Sequence, residues 1–342
     1  VSDIEVSDRT IAHSIPFIGE DYDVRSDSIF IKISPYENLR IAQVNGDHNY
    51  TYLSGITYGT TLSKTDFDAG LLQEKDHYTI AIDSVQFQEL GLDSVGEGDL
   101  IFFSAQKISI VQPKIGIYRN KLLPDSYSEK PMYSSLLRES PINIQIDSLQ
   151  LKDAQFTYVE RSKWENEGGK LEFNEMNVDI TRLGNTYKDN TQVRLTTLFM
   201  DSAPFEGTWS FNVLDPNDVF TFEGELHGLA LDKLNAFTQP YADTRLEGIM
   251  QDVYFNIYGN GETSTVDLKC KFNDVSIFLL KPGTRKKKKL LSALANVLVS
   301  TNSKHRGEDF KQVSVNVQRD KTKSSWNYIF KNIEEGMKKV LL

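Results

Sequence analysis

The 342-residue chain has a single cysteine, Cys270. One thiol closes no internal disulfide and builds no multi-thiolate metal site, which excludes zinc ribbons, iron–sulfur clusters and CxxC redox chemistry. Basic charge is also short: 38 Lys and Arg against 48 Asp and Glu leave a formal charge of −10. Most of such a surface repels a polyanion, so a nucleic-acid binder held by phosphate contacts is excluded. The longest strongly apolar stretch, Leu290 to Val299, is about half the ~20 residues that span a bilayer. Val1 is not an initiator Met, and no basic start followed by an apolar run lies behind it. The expectation is a chain cut by processing or design, with any N-terminal anchor missing.

Motifs of catalysis are missing as well. The five histidines are scattered without HxxxH or HExxH spacing, and no Walker loop, GxGxxG or GxSxG follows a strand pattern. Glu20, Asp21, Asp23 and Asp27 lack the Gly and terminal Glu of an EF-hand loop and read as a solvated acidic loop. The expectation is a protein that is not an enzyme, with no cofactor and no metal.

What is present is period-two alternation, nearly from end to end, the mark of strands with one buried face. Gly and Asn punctuate it, so the expected class is all-β and mainly antiparallel, in meanders. A more specific pattern recurs. Ile82 is followed by Val85 and Phe87 across Asp83-Ser84; Ile144 and Ile146 by Leu149 and Leu151 across Asp147-Ser148. Leu171 and Phe173 lead to Met176, Val178 and Ile180; Leu268, Cys270 and Phe272 lead to Val275, Ile277 and Leu279. Phe220, Phe222 and Leu226 lead to Leu229, and Phe310 leads to Val313. A step of three in place of two throws side chains to the other face unless a bulge absorbs the extra residue. Bulges would bend each strand and fold the sheet into an elongated trough-like β-groove; tight turns between separate strands in a closed sandwich would give the same signature.

An internal repeat accompanies the bends, Ile82 to Phe87 returning as Ile146 to Leu151, each followed by a glycine-led second strand about 70 residues apart. The organisation reads as an N-terminal β segment 1–121, a Pro- and Ser-rich linker or loop 122–139, a C-terminal β-groove module 140–280 and a cationic tail 281–342. The tail holds 15 Lys or Arg and 5 Asp or Glu, a net of +10 that leaves −20 on residues 1–280. Helices are expected over about 287–301 and 325–341, with a strand about 310–318. The basic run Arg285, Lys286, Lys287, Lys288 and Lys289 and its apolar helix could meet an anionic membrane surface, or the helix could plug one end of a trough.

Residues Pro141 to Asn185, the preceding KISIVQPKIGIYRNKLLP, the stretch FEGELHGLALDKLNAFTQPYADTRLEGIMQDVYFNIYGNGE and the terminal SWNYIFKNIEEGMKKVL resemble the bacterial AsmA-like superfamily, with its TamB and YhdP relatives, in its Bacteroidetes-type form. The resemblance implies an envelope protein anchored to the inner membrane by an N-terminal segment. It also implies a periplasmic body of curved strands with an apolar groove, and phospholipid as ligand in outer-membrane biogenesis. On that reading the groove is lined by Ile82, Val85, Phe87, Ile144, Ile146, Leu149, Leu151, Phe173, Met176, Val178, Leu268, Cys270, Phe272, Val275 and Ile277. About 18–20 strands would make it roughly 90 Å long. The competing reading is an envelope scaffold with a closed β core whose basic tail binds a protein partner.

Overall fold

The computed structural model describes residues 23–47, 49–95, 100–280 and 310–341. Alternating sequence becomes one mainly antiparallel sheet of seventeen strands. The first nine are β1 (Asp23–Ser26), β2 (Ile29–Lys32), β3 (Glu37–Ile41), β4 (Gln43–Asp47), β5 (Tyr50–Thr60), β6 (Asp76–Gln88), β7 (Gly91–Val95), β8 (Leu100–Val111) and β9 (Lys114–Asn120). The longer strands β10 (Asn143–Arg161), β11 (Gly169–Gly184), β12 (Thr191–Phe199), β13 (Ala203–Phe211), β14 (Phe220–Ala230), β15 (Thr244–Gly259), β16 (Thr263–Leu279) and β17 (Lys311–Gln318) follow. Four helices accompany them among the described residues: α1 (Lys64–Ala69), α2 (Tyr133–Arg138), α3 (Asn235–Ala242) and α4 (Ser325–Leu341). The basic run 285–289 and the helix expected at 287–301 lie outside the described residues.

Strands β10 to β17 form an uninterrupted antiparallel meander. Toward the N-terminus the ladder continues through β8 and β9, β6 and β7, β5, β3 and β4, then β1 and β2. In each of those four couples the two members are halves of one broken strand. The seventeen strands therefore occupy thirteen positions, roughly 60 Å of sheet and not 90 Å. The sheet is mainly antiparallel, as expected, with one parallel pairing, since β10 runs parallel to β8 and β9.

That parallel pairing explains residues 122–139. Parallel neighbours need a crossover from one end of the sheet to the other. Residues 121–142 supply it as a strap over one face, so the segment expected as a plain linker carries α2 and is tied down. Met132 is 2% exposed, and Arg138 donates to the carbonyls of Val213 and Asp215 and pairs with Asp218. Ser134 and Ser135 donate to the same Asp218 carboxylate. The sheet runs unbroken past the expected boundary at 140.

The breaks in the strands align. Ala42, whose N–H donates to the carbonyls of Ser54 and Gly55, lies beside Gly55; Gly55 faces Asp83, and the line continues to Gln112, Asp153 and Glu175. A second line, about six residues along each strand, joins Glu89, Gln106, Asp147 and Arg182. Gln112, Asp153, Glu175, Glu89 and Arg182 all have φ between 48° and 56°. These are bulge conformations, and they restore the apolar set to its original face after the step of three. Ile82, Val85, Phe87, Ile144, Ile146 and Leu149 accordingly fall in one apolar cluster. Gly228, Gly248 and Asp274 do the same in β14, β15 and β16. Phe310 departs from the pattern: it precedes β17 and packs on Tyr254 and Lys269, on the opposite face from Cys270.

The sequence repeat is a structural one. Phe87 pairs with Ile108 as Leu151 pairs with Val178, and Val85 with Ile110 as Leu149 with Ile180. The two copies lie side by side with opposite strand directions, which is why the strap must intervene.

Candidate functional site

Between the two lines of bulges each strand offers two apolar side chains to the strap face, and the ladder places them in rows across the sheet. One row runs Phe87, Ile108, Leu149, Ile180, Val193, Trp209, Phe222, Ile257, Val266 and Val315. The other runs Val85, Ile110, Leu151, Val178 and Leu195, then two glycines, Gly207 and Gly224, then Phe255, Leu268 and Val313. The glycines make room for a ring. A Cβ on Gly224 would sit 2.3 Å from Phe255, which lies flat and stacks on Phe222 at 5.9 Å and Phe205 at 6.3 Å.

The two ends of these rows differ in what covers them. From β13 to β17 the face is closed by α4, whose Tyr328, Ile329 and Val340 are at most 4% exposed. Gly336 lets the helix approach, because a Cβ there would stand 2.9 Å from Leu268. Asn332, wholly buried, accepts from Ser264 at 2.8 Å and donates to the Tyr328 carbonyl at 2.9 Å. Leu268, Cys270, Phe272 and Val275, expected as groove lining, are 0–1% exposed and form a filled core under this helix. Ile277 packs half-buried at its margin. The apolar face of an amphipathic helix is the occupant that the strand pattern alone could not reveal.

From β6 to β12 the rows are only half covered. Phe87, Leu149, Leu151, Met176, Val178, Ile180, Val193 and Leu195 are all partly exposed. Ile82 and Ile144 are half-buried, Val85 and Ile146 are buried at 8% and 6%, and the Phe173 ring packs at a tilt against Phe156 at 5.8 Å and Phe199 at 4.9 Å. A cavity of about 350 Å³ opens here between the two cores, with almost wholly apolar walls. Ile180 and Val193 lie beneath it, Ile144 and Leu183 at one side, Trp209 and Phe211 at the other. Tyr133, Leu136 and Leu137 of α2 lean over it from the strap. Trp326 and Phe330 of α4 continue the apolar rim at 39% and 49% exposure, Trp326 lying 5.4 Å from Trp209.

Of the expected lining residues, the structure brings Ile144 to this cavity and sets Leu149, Leu151, Met176 and Val178 on the same half-open face. The expected set omitted Val193, Leu195 and Trp209, which show ordinary alternation, and the strap residues, which show no period at all. The strap is fastened by charge. Lys121 reaches Glu74 and Asp125; Lys323, just before α4, reaches Asp125 at 3.1 Å; Arg319 donates to the Lys130 carbonyl. Hydrogen bonds from Lys121 and Lys323 hold the Asp125 carboxyl down at about 2.

Among the described residues no group of His, Cys, Asp or Glu is arranged to hold a metal ion, and no helix is long and apolar enough to cross a membrane. Burial pushes the Cys270 thiol up to about 12. At neutral pH it is a protonated thiol inside the core, so alkylation by iodoacetamide is expected to follow global unfolding, with no fast phase in the native protein. A native-state rate like that of a free thiol would show that α4 leaves the sheet. No protein-family model matches this chain, and no curated protein matches it.

Proposed function

We propose that this protein is a non-enzymatic binder of acyl-chain lipid, an AsmA-like module of the bacterial envelope that handles phospholipid in the periplasm for outer-membrane biogenesis. The observation that carries the reading is the half-open apolar floor from β6 to β12 with its cavity. Apolar side chains left half-wet in register across neighbouring strands lose about 25 cal/mol for each Å² that stays in water. An acyl chain laid across them recovers this without asking for a single hydrogen bond. The floor from β6 to Trp209 crosses six strand positions, roughly 24 Å at the spacing of a ladder. The chains of one leaflet occupy about 15 Å, half the thickness of a bilayer's hydrocarbon.

A curled sheet is part of the proposal. Arg319 meets Glu262 at one end of the strands, and Lys323 meets Asp125 near the start of β6, at the other. Five residues extend at most ~18 Å, whereas β15, with 16 residues, would be about 53 Å long if straight. Strands bent at the bulges, with their ends turned toward each other, satisfy both. A headgroup at such an opening would remain in water while the chains lie inside.

Filling by α4 limits the open stretch and favours a second reading for the β13–β17 half alone, that of a closed structural core. The two are separated by native mass spectrometry with lipid extraction on protein purified in gentle detergent. Phospholipid is expected on the wild-type chain and absent from Val178→Asp and Ile180→Asp, whose half-exposed positions leave the fold intact by circular dichroism. Lipid-free wild type, or retention of lipid by both variants, would discard the acyl-chain reading.

A further inference from the structure

The cavity between the two cores is walled by apolar side chains and four polar ones, Tyr133, Ser140, Thr191 and Trp209. Two of the four are engaged within the protein: Thr191 donates to the Arg182 carbonyl at 2.7 Å, and the Ser140 Oγ accepts from the Ile142 N–H at 3.3 Å. The other two are not. Trp209 is 5% exposed, and its Nε1–H, within the wall, has no hydrogen-bond partner. Tyr133 leans over the same cavity from α2, and among the described residues its hydroxyl meets no hydrogen-bond partner either. Burial alone pushes the Tyr133 hydroxyl up, whereas those of Tyr78, Tyr158 and Tyr187 are each also bonded to a carboxylate. The Tyr133 and Trp209 rings meet edge to face, their centroids 5.7 Å apart.

A buried indole N–H or phenol O–H ordinarily finds an acceptor, and one left without a partner calls for an explanation. Two such donors on neighbouring rings at one apolar cavity share one explanation. We infer that Tyr133 and Trp209 are a carbonyl-recognition pair, and that the ligand of this cavity is an acyl ester whose carbonyl oxygen accepts from both while its chain lies over Ile180 and Val193. A carbonyl oxygen has two lone pairs and brings no hydrogen of its own.

That last property separates it from the alternatives. A water or an alcohol accepting from the pair would turn its own hydrogen toward apolar walls, and an enclosed water needs two to four polar partners. A carboxylate would enter with a full charge, and no cationic side chain lines the cavity to receive it. An ether oxygen is left as the nearest competitor, a poorer acceptor at the same place on the same chain. This inference rests on the acyl-chain reading and narrows it, from hydrocarbon of any kind to hydrocarbon joined through an ester.

The test is competition between two lipids of equal chain length and the same headgroup, lysophosphatidylcholine and its 1-O-alkyl ether analogue, offered in equal amounts to the 342-residue protein. Lipid extracted from the isolated complex is counted by mass. The ester form should exceed the ether form about 5–20-fold on the wild-type chain, as two hydrogen bonds to one oxygen allow. Tyr133→Phe and Trp209→Phe should each reduce that ratio, and together bring it to about one. Tyr133→Phe keeps the ring and loses only the oxygen, so it decides the matter even if Trp209→Phe unfolds. In parallel, the indole N–H resonance of Trp209, identified by its loss in Trp209→Phe, should move downfield with the ester lipid and stay in place with the ether. Equal uptake of the two lipids by the wild type overturns this inference alone, as does an ester preference that Tyr133→Phe leaves unchanged. Uptake of neither lipid overturns the acyl-chain reading and this inference with it.

Discussion

Phe272→Ala is expected to destabilise the protein by about 3–5 kcal/mol, read as a lower midpoint in urea with an unchanged slope. The ring has no exposed surface. It pairs across the ladder with Met250, itself 2% exposed, and the Lys311 ammonium stands 5.6 Å from its centre. A cavity here cannot collapse cheaply, because strands on both sides are held in register and α4 lies across them. Phe173→Ala is the contrast. It is chemically the same change on the half-open side, where the ring is already partly in water, and about 1–2 kcal/mol is expected. Equal losses at both positions would mean that the two halves of the sheet are covered to the same extent.

Gly248→Val should cost a comparable amount for another reason. Its φ is +105°, and a Cβ would stand 2.5 Å from the Asp274 carbonyl oxygen and 2.8 Å from Val275 Cα, both backbone atoms. Backbone strain of about 1–3 kcal/mol and a similar overpacking term give about 3–5 kcal/mol together. Glu175→Gly serves as the control. Glu175 holds φ at 50° on an exposed bulge, and glycine relieves that strain, so a change within about 1 kcal/mol of zero is expected. Differential melting of the three proteins checks both signs. A Gly248→Val protein as stable as wild type would show that the bulge at Asp274 can slide along the ladder.

The bends were legible because a bulge leaves a mark in sequence: apolar residues three apart flanking a polar pair, as at Asp83-Ser84 and Asn273-Asp274. The same mark stands at Leu53 to Ile56 across Ser54-Gly55 and at Ala105 to Ile108 across Gln106-Lys107, where the structure shows breaks that were not anticipated. Phe310 shows its limit, for a residue just outside a strand can mimic the step. What was not legible is what covers each stretch of the face. Leu268 and Val178 stand in the same row across the ladder, yet one is sealed and the other is half-wet, because α4 reaches only as far as Trp209. The strap was opaque too. Its attachments join side chains far apart in the chain, Lys121 to Glu74 and Arg138 to Asp218, and a Pro- and Ser-rich composition carries no trace of them.

The attachment of Lys323 to Asp125 and Glu74 has a consequence in time. Its partners are separated by about 200 and 250 residues, so the link is made only after residue 323 has been synthesised. Until then β6 to β12 can pair and bend, since every partner they need precedes residue 200, but the strap lacks its second fastening. Contacts this distant in sequence form late and slowly. The apolar face from β6 to β12 is thus less covered while the chain up to residue 323 is being made than in the folded protein, where the strap is held at both fastenings.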